Sequence, residues 1–202
     1  MSRIPILILA AGASSRMRGR DKLLEMIDDL PLIRRQAEMA RTVSQSVIVA
    51  LPAAPHPRHS ALEGLDVTRI EVPEATLGMG HSIAAGVSAL PADARGVLLM
   101  LADLPDLRAD DLKRILHAFE DQPDALIWRG ATEAGKPGHP ILFHRQLFPA
   151  LQNLTGDVGA KEVVRSAGDR LCLVPLPGTR ARRDLDTPED WTVWRQEKAN
   201  KP

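Results

Sequence analysis

The first chemically distinctive segment is LILAAGASSRMRGRDKLLE, residues 7–25, where positive charge follows an apolar run directly. The small residues 11–13 leave the backbone accessible, so its N–H groups can approach a polyphosphate closely, and Ser14 adds a hydroxyl donor. Arg16 can grip phosphate oxygens with its planar fork, while Lys22 acts as a point charge. The segment matches neither the G-x-G-x-x-G nor the Walker pattern. It predicts a phosphate-binding loop of another kind; a solvated basic turn is the alternative.

Two aspartates are candidate metal ligands. Asp103 follows the apolar run GVLLML, in the segment LADLP, and Asp186 lies in DLDTP. Mg²⁺ prefers one or two carboxylates completed by phosphate oxygens and water, so both residues suit a nucleotide-bound metal ion. Each also has a structural alternative, because Asp103 can serve as a turn residue before Pro105 and Asp186 can stabilise a helix start. Asp184 is an alternative to Asp186 as the second ligand.

These residues need elements that bring them together. Short runs rich in Val, Ile and Leu predict strands at 4–10, 46–51, 67–72, 96–101, 125–128 and 170–176. Segments of helical period predict helices at 31–43, near 80–90, at 108–120, near 145–152, near 158–167 and from Thr187 onward. This alternation predicts an α/β protein with a mainly parallel sheet covered on both faces. Ligands of such sheets bind beyond the carboxyl ends of the strands, where the basic loop and Asp103 fall.

Composition limits the function classes. The chain has 202 residues with 26 basic and 26 acidic side chains, and we expect a single domain over 1–202. The balanced charge disfavours nucleic acid and membrane surfaces as partners, and the single cysteine, Cys172, excludes a disulfide framework. The N-terminal segment, Arg3 followed by IPILILAA, mimics a secretory signal, but its apolar run is short. A cytoplasmic location is therefore the expectation.

Six segments, in the same order along the chain, resemble motifs of one enzyme family. They are LILAAGASSRMRGRDKLL, LGMGHSIAAGV, LADLPDL, GHPILF, GDVGAKEVV and DLDTPEDW. The chain is similar to the molybdenum cofactor nucleotidyltransferases of the NTP-transferase superfamily, most of all to their cytidylyltransferase group. This resemblance implies a three-layer, Rossmann-like nucleotidyltransferase fold with a mainly parallel mixed sheet flanked by helices.

The resemblance also implies a reaction. A substrate phosphate attacks the α-phosphate of a nucleoside triphosphate in line, and pyrophosphate leaves. Such chemistry depends on positioning and charge stabilisation, and an ionised phosphate nucleophile needs no general base. The implied catalytic residues are Arg16, Lys22 and Asp103. Asp103 and Asp186 would hold Mg²⁺, the expected cofactor.

The resemblance also implies which residues contact the nucleotide and which contact the acceptor. The nucleotide would contact Leu9, Ala10, Ala11, Gly12, Ser14, Arg16, Lys22, Gly78, Gly80 and Ser82. Cytidine-specific members carry Ala-Ala-Gly in the first loop, as at 10–12 here, whereas guanosine-specific relatives usually carry Ala-Gly-Gly. CTP is therefore expected rather than GTP. Molybdopterin or the molybdenum cofactor would be the acceptor, held by His139, Asp157 and Lys161, and a recipient molybdoenzyme is a further expected partner.

Departures from the family pattern leave other functions open. Arg18 stands where glycine is usual, and Lys161 stands where arginine is usual. The alternatives are a cytidylyl- or guanylyltransferase acting on another phosphorylated small molecule, and a non-catalytic nucleotide- or pterin-binding module for a molybdoenzyme. The segment GHSIA around Ser82 approximates a hydrolase nucleophile elbow, but no strand directly precedes it. The basic cluster TRARRD, residues 179–184, either contacts an acceptor phosphate or is a solvated turn.

Overall fold

The computed structural model describes residues 2–157 and 159–200. Within them the strands are, in chain order, β1 (Ile6–Leu9), β2 (Met26–Ile27), β3 (Leu30–Pro31), β4 (Val47–Leu51), β5 (Thr68–Glu71), β6 (Gly96–Leu101), β7 (Ile127–Ala131), β8 (Pro137–His144) and β9 (Leu171–Pro175). The main sheet has the order β5-β4-β1-β6-β8-β7-β9, and β2 pairs with β3 in a small separate hairpin. Only β8 runs antiparallel to its neighbours, β6 and β7. The predicted mainly parallel mixed sheet is thus confirmed.

Helices cover both faces of this sheet. They are α1 (Leu32–Val43), α2 (Pro57–Ala61), α3 (Met79–Ser88), α4 (Ala109–Asp121), α5 (Phe148–Gln152), α6 (Lys161–Ser166) and α7 (Pro188–Ala199). Strand β1 shows why two layers form, because Ile6 and Ile8 pack in one apolar cluster while Leu7 and Leu9 pack in the other. Apolar residues of α1, α4 and α7 share the first cluster, and those of α3, α5 and α6 share the second. In the described part of the chain, no helix is long and apolar enough to cross a membrane.

The sequence missed three elements. It left 135–144 without a regular element, yet β8 occupies most of that segment, and Pro140 lies inside it despite the usual exclusion of proline from inner strands. It also missed the β2–β3 hairpin, and it predicted a surface loop at 52–60, where α2 forms. The predicted helix near 145–152 is a 3₁₀ turn followed by α5, and the one near 158–167 starts at Lys161, with Val158 outside the described residues.

The register at the centre of the sheet positions the functional loops. Strands β1 and β6 are parallel neighbours, and Leu9 pairs with Leu101 at their carboxyl ends. The loop after β1, residues 10–22, and Asp103 after β6 therefore emerge side by side at one edge. This is the arrangement that the sequence predicts.

Close packing of α3 on β1 yields a first test. A methyl group at Gly86 would lie 2.4 and 2.5 Å from the two Cδ atoms of Leu7, which is buried in the sheet. Gly86→Ala should therefore lower the free energy of unfolding by about 1–3 kcal/mol. Urea unfolding would measure this change. Ser88→Ala, on the exposed part of the same helix, should change it by about 0.5 kcal/mol or less; equal effects at both positions would contradict the packing argument.

Candidate active site

A cavity of about 430 Å³ opens at the carboxyl ends of β1 and β6. The loop after β1 forms one wall, and the segments around Gly78, Asp103, Asp157 and Asp186 form the others. The predicted site residues that line it are Leu9, Ala10, Ala11, Gly12, Arg16, Lys22, Gly78, Ser82, Asp103, Asp157 and Asp186. Four further predicted residues, Ser14, Gly80, His139 and Lys161, do not line it.

Lys22 joins the two predicted metal ligands. Its Nζ donates to Oδ2 of Asp103 at 2.5 Å and to Oδ1 of Asp186 at 2.7 Å. All three side chains are about five-sixths buried. Burial alone would lower the pKa of Lys22, but the two carboxylates outweigh it and raise the pKa above its ordinary value. Lys22 is therefore a fixed positive charge between two negative ones.

Arg16 adds a second cation at the rim. One guanidinium nitrogen lies 2.7 Å from Oδ2 of Asp186, and two-thirds of the Arg16 side chain is exposed. Because the Arg16 side chain is mostly in water and Asp186 keeps Lys22 as a partner, Arg16 can exchange this carboxylate for a phosphate at small cost. The site thus has one anchored cation and one adjustable cation.

The donor set fits a divalent metal shared with a ligand. Oδ1 of Asp103 is buried and has no hydrogen-bond partner, an arrangement that a bound cation would satisfy. No group of three or more His, Cys, Asp or Glu converges on a metal position within 2–157 and 159–200, so two carboxylates are the core of the donor set. That number suits Mg²⁺ or Mn²⁺ completed by phosphate oxygens and water.

Asp184 lies beside this pair. Burial raises the pKa of Asp184, and the neighbouring charges of Asp186 and Asp103 raise it further. Asp186 contacts both Lys22 and Arg16 directly, so it is the better placed of the two alternatives for the second ligand.

The glycines at 78 and 80 hold two loops together. Gly78 has a φ of +127°, and a methyl group there would lie 2.2 Å from the carbonyl carbon of Gly156. The N–H of Gly80 donates to the carbonyl of Gly156 at 2.9 Å. These contacts bring Asp157 to the cavity. The N–H of Gly80 is used in the bond to Gly156. Gly78 remains on the cavity wall.

One buried charged residue at this edge, Arg58, is not indicated by the sequence. Arg58 of α2 is 1% exposed and forms an ion pair with Asp21, and it also donates to the hydroxyl of Ser14. Ser14, predicted to contact the nucleotide, is therefore bonded within the protein. Arg58 lies in the proline-rich segment predicted as a surface loop, and nothing in the local sequence indicates its burial.

Two predicted acceptor contacts lie apart from the cavity. His139 is on β8, where burial and then the charge of Arg129 lower its pKa to about 4. Its Nδ1 is buried without a hydrogen-bond partner. Lys161 is the first residue of α6 and is exposed.

The fold and the cavity define the class of protein. At the carboxyl edge of the sheet, a loop with accessible backbone lies beside a lysine and two carboxylates. This arrangement fits a nucleotidyltransferase. Residues 6–171 match the family described as the MobA-like NTP transferase domain, and the chain belongs to this family. The resemblance read from the sequence motifs is thus confirmed at the family level.

Individual relatives carry different names. Purine catabolism protein PucB of Bacillus subtilis is 29% identical, over 96% of this chain and 98% of that protein. A probable molybdenum cofactor guanylyltransferase of Nostoc sp. is 26% identical, over 96% of this chain and 91% of that protein. The bifunctional protein GlmU of Leifsonia xyli is 29% identical over 90% of this chain. The matched region covers only 38% of the length of GlmU. Family membership alone therefore does not identify the substrates.

Solved structures confirm the fold. Rv0371c of Mycobacterium tuberculosis matches with a TM-score of 0.80 and 28% identity, covering 96% of this chain and 99% of that chain. A second Rv0371c structure, in complex with manganese, matches with a TM-score of 0.76 and 27% identity, covering 95% and 97%. A member of the same fold thus binds a divalent metal.

The burial of His139 predicts a pH effect on stability. Its pKa of about 4 lies below the ordinary value of 6.5, so the unfolded chain binds the proton that the folded chain excludes. His139 should therefore destabilise the fold as the pH falls from 6.5 toward 4, by about 2 kcal/mol at pH 5. Urea unfolding at pH 7 and pH 5 would measure this loss. The loss of stability between pH 7 and pH 5 should be smaller in His139→Gln by about 2 kcal/mol. His117→Gln, on the exposed side of α4, should show the same loss as the wild type. Equal losses in all three proteins would contradict the assignment.

Proposed function

We propose that the protein is a Mg²⁺-dependent nucleotidyltransferase that transfers CMP from CTP to the phosphate of molybdopterin or the molybdenum cofactor. The observation that carries the proposal is the contact of Lys22 with both Asp103 and Asp186 at the wall of the first-loop cavity. A triphosphate in this cavity would meet a cation, two candidate metal ligands and accessible backbone together.

The residues divide the work of an in-line displacement. A bond forms between an acceptor phosphate oxygen and the α-phosphorus, and the bond to the oxygen that bridges to the β-phosphate breaks, so pyrophosphate leaves. Lysine has three N–H donors, and the two carboxylates take two of them, which leaves one for a phosphate oxygen. Arg16 moves from Asp186 to the phosphates as negative charge develops. When bound, a divalent cation held by Asp103 and Asp186 would neutralise phosphate charge.

The first loop supports CTP as the nucleotide. Ala11, at the position where guanosine-specific relatives usually have glycine, is 7% exposed and packs in the apolar cluster with Leu9 and Ile83. Ala11 also lines the first cavity, so its methyl group leaves less room there than a glycine would. GTP is the second candidate, because the Nostoc relative is named a guanylyltransferase.

A second cavity supports the acceptor assignment. It measures about 890 Å³ and shares Asp184 with the first cavity. Lys136, Arg182 and Arg183 lie on its wall, so two of the three arginines of the basic cluster 179–184 face this space. The third, Arg180, pairs with Asp111 instead. We place the acceptor phosphate at the junction of the two cavities. Asp157 would contact it from the first cavity, whereas His139 and Lys161 line neither one.

The reaction itself is tested by pyrophosphate release with Mg²⁺ and each of CTP, GTP, ATP and UTP, with and without molybdopterin or its molybdenum-loaded form. Release is expected only with CTP plus the pterin. Release with GTP plus the pterin would replace cytidylyl by guanylyl transfer. Nucleotide binding without release in any pair would favour another phosphorylated acceptor or a non-catalytic module.

Lys22 and Asp103 should each be essential for turnover. Lys22→Met and Asp103→Asn remove charge stabilisation from the transition state, so kcat should fall about 10²- to 10³-fold. Pyrophosphate release would measure the loss, and circular dichroism would verify the fold. Lys113→Met removes an equally charged side chain in an exposed pair with Asp110 and should leave kcat unchanged. Activity of either site variant within threefold of wild type would refute the assigned roles.

Ala11 should set the preference between the two nucleotides. Ala11→Gly removes one methyl group from the lining and so enlarges the cavity. The ratio of kcat/KM for CTP to kcat/KM for GTP should then fall about tenfold. Steady-state kinetics with both nucleotides gives the ratio. Ser15→Gly changes an exposed residue of the same loop that does not line the cavity, and it should leave the ratio unchanged. A similar shift in both variants would assign the effect to loop flexibility instead.

A further inference from the structure

Arg58 is buried without any part in the reaction described above. Among the residues that the structure describes, it is the one buried lysine or arginine, with 1% exposure. A guanidinium removed from water is costly unless charged and polar partners satisfy it. The identity of those partners therefore indicates what Arg58 does.

Within the described part of the chain, every hydrogen bond donated by the Arg58 guanidinium goes to the loop of residues 10–22. One nitrogen donates to the carbonyl of Ala10 at 2.6 Å, where the loop leaves β1. Nε and the other nitrogen hold the Asp21 carboxylate at 2.7 and 2.8 Å, just before Lys22. That second nitrogen also reaches the Ser14 hydroxyl at 3.0 Å. Arg58 thus contacts the beginning, the middle and the end of the loop.

The partners of Arg58 are themselves held in place. Asp21 accepts the N–H of Leu23 at 2.9 Å, and Ser14 Oγ accepts the N–H of Lys22 at 3.4 Å. Ser14 has a φ of 51°, a left-handed conformation that is uncommon for a residue with a side chain. These contacts fix the backbone of Lys22, whose Nζ must reach the carboxylates.

Backbone hydrogen bonds within the loop do not join its two ends. Its internal backbone hydrogen bonds are short-range, from Met17 to Ser14 and from Arg20 to Met17. Burial alone would raise the pKa of Asp21, but Arg58 outweighs it and lowers the pKa, so the carboxylate stays charged. Ser14 Oγ contacts Asp21 and the N–H of Lys22 at 3.3 and 3.4 Å, and Arg58 is the residue that connects Asp21 to the carbonyl of Ala10, where the loop begins.

We propose that Arg58 is a positioning residue for nucleotide binding, which holds loop 10–22 in its phosphate-binding shape before the nucleotide arrives. The inference rests on the proposed function in one respect, namely that a nucleoside triphosphate is the ligand of this loop. If loss of Arg58 leaves one-tenth of the molecules with a competent loop, the apparent affinity falls tenfold. Saturating nucleotide restores the competent shape, so kcat is preserved.

Kinetics of Arg58→Met test this role. The KM for the nucleotide should rise about tenfold, and kcat should stay within threefold of wild type. In Arg58→Ala, millimolar guanidinium ion should occupy the vacated position and lower the KM again. Arg180→Met is the control, because it removes the ion-pair partner of Asp111, a buried carboxylate on α4. It should lower the melting temperature without changing the KM for the nucleotide.

Hydrogen exchange tests the same role without any turnover. Amides of residues 11–22 should lose at least tenfold of their protection in Arg58→Met, whereas those of β1 and β6 keep theirs. A fall in melting temperature with unchanged KM and unchanged loop protection would overturn the proposal and make Arg58 purely structural. If the wild-type protein releases no pyrophosphate from any nucleotide, the proposed function fails, and the exchange data still decide the role of Arg58.

Discussion

Two carboxylates held near each other in a partly buried place need a cation between them, and the architecture of this edge of the sheet follows from that need. Asp103 comes from the end of β6 and Asp186 from the segment before α7, while Lys22 comes from the loop after β1. Their charges compensate only if these three segments meet, so the register of β1 against β6 is a condition of the site. A shift of one residue would leave β1 apolar on both faces, but it would move the loop after β1 by about 3.3 Å relative to Asp103 and separate the charges.

The first loop must satisfy two opposing demands. It has to expose backbone N–H groups, which requires small residues such as Gly12, and small residues make a loop flexible. Contacts with residues outside the loop hold it in one shape. The Arg58–Asp21 pair joins its ends, and Met17 is fully buried beneath it. Openness and rigidity are thus supplied by different residues.

The sequence predicts the features that depend on single segments. The apolar runs of β1, β4 and β6 are strong local signals, and parallel strands place their carboxyl ends at one edge, so the sequence alone places the loop and Asp103 together. Features that depend on pairing could not be predicted in this way. Strand β8 contains prolines that argue against a strand, and Arg58 finds Asp21 across 37 positions. In the sequence the Arg58 guanidinium resembles any solvated one, because only the packing of α2 against the loop buries it.

The position of Asp184 connects the two cavities and gives the proposed reaction a direction. In-line displacement requires the attacking and leaving oxygens to lie on opposite sides of the phosphorus atom. In the proposed reaction an acceptor in the larger cavity would approach past Asp184, while the first loop would hold the phosphates that leave. Asp184 is destabilised as a carboxylate in that place, since burial and the charges of Asp186 and Asp103 raise its pKa. Because the charges of Asp103 and Asp186 raise the pKa of Asp184, a divalent cation held by those two residues would also favour the charged form of Asp184.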